Sequence, residues 1–381
     1  MNILDNKNII CPQCPNGCNI SLQPEKNGNI LIDGNKCEKG YKFICRKVEK
    51  EGIKGKVVAK HKFSSHSTEE LKYIAHNFGV DLKEIHPKFD IDGSPERTIF
   101  RIVIEDSNSK FYIIEQIPLH TQETKINIGK TLETLDKNGV PFINPFLKTK
   151  SGEFVLSFNN TFWQIEPFIK GAKLNRTNYM FDTWRAQYLA SFLIRLKENS
   201  ANLPHIDNKD FFSIKEYIYN LKEKLISNNN GALNKIEPII EFLENKLFPE
   251  HDNLTHSLCH GDYHPLNIIW SNNTIKAVID WEFHGIKPEI YDVANMIGCL
   301  GIENPKCLID SLVIELIKLL RNSNIYSQTS WDNLYDFIIA LRFAWLSEWL
   351  RKNDDEMLAL EIDYMNLLIE NKDKIKEAWG I

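Results

Sequence analysis

No stretch of this sequence approaches the roughly 18–20 consecutive apolar residues that cross a membrane as a helix, and no charged-then-apolar segment of the secretory kind opens it. Those absences set aside a helical membrane protein and point to a cytoplasmic chain with no membrane partner. A surplus of positive charge is missing too. Lys and Arg number 46 against 51 Asp and Glu, a net charge of −5, so the chain as a whole gives no electrostatic reason to expect nucleic acid. Internal repeats and low-complexity tracts are also absent, which excludes solenoids and disordered arrays. What remains is 381 residues of ordinary soluble composition, 43% hydrophobic and 25% charged, with room for two or three domains and a sizeable core.

The most informative stretch runs from Cys259 to Asp292. Ile268 to Trp270 is a short apolar run, Ser271-Asn272-Asn273-Thr274 is turn-forming, and Ile275 to Ile279 is a second apolar run, so the pattern predicts a β-hairpin. A hairpin folds its ends together, which brings Asn267 before the first strand beside Asp280 after the second. A carboxylate and an amide oxygen side by side suit Mg²⁺, which takes one or two protein oxygens and completes its octahedron with phosphate and water. Asp262, five residues before Asn267, is placed to accept a hydroxyl proton as a bond to phosphorus forms.

The string HGDYHPLNII, followed by VIDWEFHGIKPEIYDVA, resembles the catalytic core of the aminoglycoside phosphotransferase and choline kinase superfamily, which shares the protein-kinase fold. The resemblance implies Asp262 as the catalytic-loop aspartate, Asn267 and Asp280 as the Mg²⁺ ligands, and Asp292 as a brace for the catalytic loop. It implies a structural role for His260, and His264 is either a loop residue or a substrate contact. The segment GVPFINPFLKTKSGEFV resembles most the spore-coat kinase-like branch.

A different composition marks the N-terminus: residues 1–62 carry twelve Lys and Arg against six Asp and Glu. Within it Cys11, Cys14, Cys18 and Cys37 form a C-x2-C-x3-C-x18-C pattern. In a reducing compartment such a cluster more often ligates metal than forms disulfides, and tight C-x-x-C turns suit tetrahedral Zn²⁺ or a [4Fe-4S] cluster equally. The runs ICPQCPNGCNI and IDGNKCEKGYKF resemble a small cysteine module associated with anaerobic flavin dehydrogenases. The first three cysteines also resemble the cluster-binding start of molybdopterin oxidoreductases. These resemblances imply redox company and a redox protein partner. Cys259, Cys299 and Cys307 read as core cysteines.

Residues 80–168 read as a β-rich small lobe, with strands at Lys88–Ile91, Thr98–Glu105 and Phe111–Ile117 and a helix from Thr121 to Lys137. The turn containing Gly93 falls where a kinase closes backbone over phosphates, and the backbone of Ile165 to Phe168, including Glu166, falls where an adenine edge is read. One departure matters. Glu115 stands where the family's strand carries a lysine for the α- and β-phosphates, and that lysine's glutamate partner aligns near Asn127 or Glu123. Arg101 on the neighbouring strand is the candidate replacement, with Arg97 and Lys110 behind it. From Gly171 the chain turns helical, and Glu348, Asp354, Asp355 and Glu356 form either a lure for a cationic acceptor or a solvated helix junction.

The expected fold class is α+β: a protein-kinase-like two-lobed fold preceded by a cysteine-rich module. The parts are 1–60 (metal or Fe-S module), 61–168 (small nucleotide-binding lobe) and 169–381 (helical catalytic lobe). The expected activity is transfer of the γ-phosphoryl group of ATP, with Mg²⁺, to a hydroxyl of a small molecule. Glu115 keeps a pseudokinase open, acting as a binding or structural protein in spore assembly or redox sensing. A third reading is an electron carrier on a kinase-like scaffold.

Overall fold

The structure is a computed structural model. It describes residues 8–12, 19–24, 29–33, 38–53, 55–59, 66–86, 89, 91, 93–94, 96–176, 178–200, 203, 211–228 and 231–381. The chain falls into two compact units, Met1–Ile126 with Phe146–Phe168, and Asn127–Pro145 with Ile169–Ile381.

The first unit begins with β1 (Asn8–Ile10), β2 (Asn19–Pro24), β3 (Ile30–Asp33), α1 (Glu38–Lys50) and β4 (Val57–Ala59). The strands form one sheet in the order β1-β2-β3-β4, antiparallel except for β3 against β4. Ile9, Ile20, Leu22, Ile30, Ile32, Ile44 and Val48 close a small core of their own. Cys11, just past β1, is buried against it at 2% exposure; Cys14, Cys18 and Cys37 lie outside the described residues.

Next come α2 (Thr68–Asn77), β5 (Leu82–His86), β6 (Phe100–Asp106), β7 (Phe111–Ile117), α3 (Gln122–Lys137), β8 (Leu156–Phe158) and β9 (Thr161–Pro167). Ser67 starts α2 by accepting a hydrogen bond from the Glu70 amide at 3.1 Å, the capping expected from Ser-Thr-Glu-Glu. The antiparallel sheet runs β5-β6-β7-β9-β8, around Ile104, Ile114, Trp163 and Ile165. Its first strand is not where the sequence pattern put it. Phe89 and Ile91 lie outside any strand, whereas Leu82–His86 pairs with β6, where Lys83 and His86 both reach Glu105, at 3.3 and 3.0 Å. Cross-strand charge pairs of this kind add a modest stabilisation of about 0.2–1 kcal/mol to the strand pairing.

The second unit contains α4 (Thr183–Asn199), α5 (Ile214–Ser227), α6 (Leu233–Lys246), α7 (Phe248–His251), β10 (His256–Cys259), β11 (Ile268–Trp270), β12 (Ile275–Val278), β13 (Gly285–Pro288) and α8 (Tyr291–Glu303). It closes with α9 (Ser311–Asn322), α10 (Gln328–Lys352), α11 (Asp355–Glu370) and α12 (Lys372–Trp379). α9 begins at Ser311, because Pro305 opens a separate 3₁₀ turn before it and Asp310 caps it through the Ser311 amide at 2.6 Å. Asn371 ends α11 and divides it from α12. No described helix is long and apolar enough to cross a membrane.

Candidate active site

The hairpin forms as its residues dictate: β11 pairs with β12 through Ile268–Val278 and Ile269–Ala277. Beyond the ladder, the Ile279 amide donates to Asn267 O at 2.9 Å, and Ile279 O accepts from His260 Nε2 at 3.0 Å. The chain entering Asp280 is thus held from both sides. Asp280 itself is exposed and left-handed, at φ 63° and ψ 63°. That conformation is uncommon for a residue with a side chain, though Asp and Asn tolerate it best, and such strain collects where a side chain must be aimed.

The loop from β10 to the hairpin is held by Asp292 in the first turn of α8. Its carboxylate accepts the His260 amide at 2.7 Å and the Gly261 amide at 2.9 Å. Gly261 has φ 81°, and a Cβ there would lie 2.0 Å from Phe283 O, so no other residue fits without moving backbone. Tyr263 is fully buried and stacks on Phe192, with ring centroids 5.1 Å apart.

Asp262 is thereby presented at the end of a rigid loop. Asn267 Nδ2 donates to Asp262 O at 3.0 Å and to Asp262 Oδ2 at 2.9 Å. His264 Nδ1 accepts the Leu266 amide at 3.3 Å, which assigns the proton to Nε2, 3.5 Å from Asp262 Oδ2. Burial alone would raise the Asp262 carboxyl, but the His264 contact, the neighbouring imidazoles and Asn267 outweigh it and hold it below the usual range. Asp262 thus carries its negative charge within this loop. With its nitrogen committed to Asp262, Asn267 has its carbonyl Oδ1 to offer a cation, and Asp280 offers a carboxylate, so this donor set fits Mg²⁺.

His260 is structural, as expected. Its Nε2–H donates to Ile279 O while Nδ1 accepts the Asp262 amide at 3.2 Å, and burial pushes its pKa down to about 4. Burial pushes Asp292 the other way, up to about 6, against its two amide donors. The two shifts act oppositely on stability. His260 contributes stability above about pH 6.5 that is lost as pH falls towards 4, and Asp292 contributes stability below pH 3.8 that is lost as pH rises to about 6. Between those limits they offset, so Asp292→Asn, which leaves His260 uncompensated, should make the urea midpoint fall more steeply from pH 7 to pH 4.5 than in the wild type.

In the first unit, Arg101 Nη2 lies 2.5 Å from Glu166 Oε1. The Phe168 amide donates to Phe111 O and Ile165 O accepts the Leu147 amide, both at 2.9 Å, so both groups are engaged within the sheet and its neighbouring loop. Glu115 is buried at 3% exposure and is met by Lys125 Nζ at 3.3 Å. Lys125, rather than the glutamate sought near Asn127, is the helix residue facing that strand. Its signal was legible: Thr121, Lys125, Ile128 and Leu132 follow one helical stripe, and all are buried. A lysine on an apolar stripe requires a counter-charge. In the acidic cluster at the α10–α11 junction, Glu348 pairs with Arg351 at 2.7 Å and Lys352 at 3.0 Å, and the Arg351 hydrogen bond draws its carboxyl down to about 2. Asp354 caps α11 through the Met357 amide.

The model of the family described as "Phosphotransferase enzyme family" matches residues 94–312, more than half of the chain and all of the loop and hairpin just described. The chain belongs to the phosphotransferase enzyme family. No curated protein sequence matches it. Among solved structures, this family member is similar to the aminoglycoside phosphotransferase of Alicyclobacillus acidocaldarius, at 14% identity and a TM-score of 0.54 over 84% of this chain and 97% of that one. It is similar also to the amicoumacin kinase hAmiN in complex with AMP-PNP, Ca²⁺ and Ami, at 13% identity and a TM-score of 0.56 over 79% and 93%. The AMP-bound spectinomycin phosphotransferase aligns at 16% identity and 0.53 over 82% and 97%. Likeness at this identity establishes the fold. The phosphotransferase described here has the kinase-like α+β fold, with a β-sheet lobe and a helical lobe.

Proposed function

We propose that this phosphotransferase moves the γ-phosphoryl group of MgATP to a hydroxyl of a small molecule. The observation that carries the reading is the Asp262–Asn267 arrangement: an ionised carboxylate with Oδ2 tied to Asn267 and His264, which commits Oδ1 to the incoming hydroxyl. In this reading Asp262 orients the acceptor hydroxyl and takes its proton as the oxygen bonds to the γ-phosphorus and the bond to the β–γ bridging oxygen breaks, with ADP the leaving group. Asn267 Oδ1 and Asp280 hold Mg²⁺, which when bound offsets the negative charge of the phosphates. Arg101 contributes positive charge on the nucleotide-binding sheet, and Glu166 with the Phe168 backbone meets the adenine. The three-part division at residues 60 and 168, the cytoplasmic setting and the likeness to the spore-coat branch belong to the same proposal. A transfer assay with γ-labelled ATP across aminoglycosides, amino sugars, nucleosides and amino alcohols tests it: label in an organic product supports the reading, and label only in inorganic phosphate, or none released, opposes it.

The pseudokinase reading is kept for one observation, the carboxylate of Glu115 at the strand position where a cation is expected. The cysteine module is proposed to hold a [4Fe-4S] cluster or Zn²⁺ through Cys11, Cys14, Cys18 and Cys37, with a redox protein as partner. Cys11 is buried beside the small core, where apolar surroundings would favour the neutral thiol and a bound metal would be what holds it deprotonated. Elemental analysis of anaerobically purified protein is expected to give about four irons with acid-labile sulfide, or about one zinc, per chain. Cys11→Ser should lower either value, and protein without iron or zinc would remove the module from the account.

A further inference from the structure

We infer that Lys125 is the phosphate-binding cation of the first unit, carried on helix α3 and held by Glu115 on strand β7, so that the strand–helix ion pair is present with its charges exchanged. This rests on the proposed function and names a residue that the function did not use.

Four observations converge on one cluster. Lys125 is 6% exposed and its ammonium meets Glu115 Oε2 at 3.3 Å, which is far from ordinary for a lysine. Glu115 accepts from Thr98 Oγ1 at 2.5 Å and stands opposite Arg101 in the β6–β7 register. Arg101 in turn is turned onto Glu166 at 2.5 Å, so its guanidinium is bound by a different carboxylate. Finally, a Cβ on Gly93 would lie 2.4 Å from Thr98 Oγ1. The main chain at Gly93, in the turn expected to close on phosphate, therefore lies directly on the residue that bonds Glu115.

The chemistry follows from the donor inventory. An ammonium has three donors, so a contact with a carboxylate does not by itself exclude contact with phosphate oxygens. Burial opposes ionisation of Glu115, but the charges of Lys125 and Arg101 overcome it and hold the carboxyl below its usual range, which sets a negative charge against the lysine and aims it. A carboxylate at position 115 thus becomes the clamp and the helix residue becomes the ligand. Glycine at position 93 permits close approach of main chain to an anion, which is the use of such turns elsewhere.

The test uses full-length protein and isothermal titration with Mg·AMP-PNP, ADP and adenosine. Lys125→Met alone leaves Glu115 buried without its partner, so the informative variant is the neutral pair Glu115→Gln with Lys125→Met, checked for an unchanged unliganded melting temperature. It should weaken Mg·AMP-PNP and ADP by about tenfold or more while leaving adenosine within about twofold, since only the phosphates lose a charged donor. Glu115→Gln alone should weaken ADP by less than the neutral pair does, since it loosens the clamp but keeps the ammonium. Wild-type affinity for ADP in the neutral pair, or an equal loss for adenosine, overturns the inference and leaves the proposed function standing. A wild-type protein that binds none of the three overturns both.

Discussion

Asp262→Asn is expected to lower the turnover of phosphoryl transfer by about 10²–10⁴-fold, the range contributed by a positioned acid–base group. Nucleotide affinity should change by less than about twofold, because the substitution removes the proton acceptor and little else. Asparagine has the same shape, and its carbonyl oxygen can replace Asp262 Oδ2 as the acceptor for Asn267 Nδ2, now at 2.9 Å. Asp292, His260 and Gly261 hold the loop without help from the Asp262 side chain. A drop in turnover at unchanged affinity is the signature of an interaction made only as the bond to phosphorus forms. A variant that keeps wild-type turnover would take the role of base away from Asp262.

Asp280→Asn is expected to abolish the Mg²⁺-dependent part of nucleotide binding. A ligand held at a hundredfold above its dissociation constant stabilises the native state by about 2.7 kcal/mol, and this variant should forfeit most of that amount. Asparagine is the substitution of choice because it tolerates the left-handed backbone at φ 63°, which alanine would strain. The unliganded protein should therefore melt close to the wild type, which isolates the lost metal ligand from any loss of fold. Titration of ATP with and without Mg²⁺ reads the effect directly: wild type should bind more tightly with the metal, and the variant should bind equally in both.

Much of the second unit was legible because its signals are local. The turn-forming Ser271-Asn272-Asn273-Thr274 between apolar runs specified the hairpin, and the hairpin alone tethers Ile279, the residue before Asp280, to Asn267. The spacing of Asp262 and Asn267 also survived into direct contact, since a 3₁₀ turn at Pro265–Asn267 folds the amide back onto the carboxylate. The first unit was harder to read. Strand β5 escaped notice because its pairing depends on Glu105, more than twenty positions away in β6 for Lys83 and nineteen for His86. The Glu115–Lys125 pair is hard to read for a related reason: the apolar stripe that buries Lys125 lies on a helix, its counter-charge lies on a strand ten positions earlier, and only the packing of the two brings them together. The cysteine pattern names a chemistry but not a metal, because tight thiolate turns serve zinc and iron alike.

The central claim is that this phosphotransferase binds nucleotide through Mg²⁺, and thermal denaturation of anaerobically purified protein with Mg²⁺ alone, ATP alone and MgATP tests it most directly. The account predicts a melting temperature raised by MgATP beyond the sum of the separate effects. Equal melting temperatures in all three conditions would contradict it, and would leave the carboxylate of Glu115 as the mark of a kinase-like protein that no longer takes nucleotide.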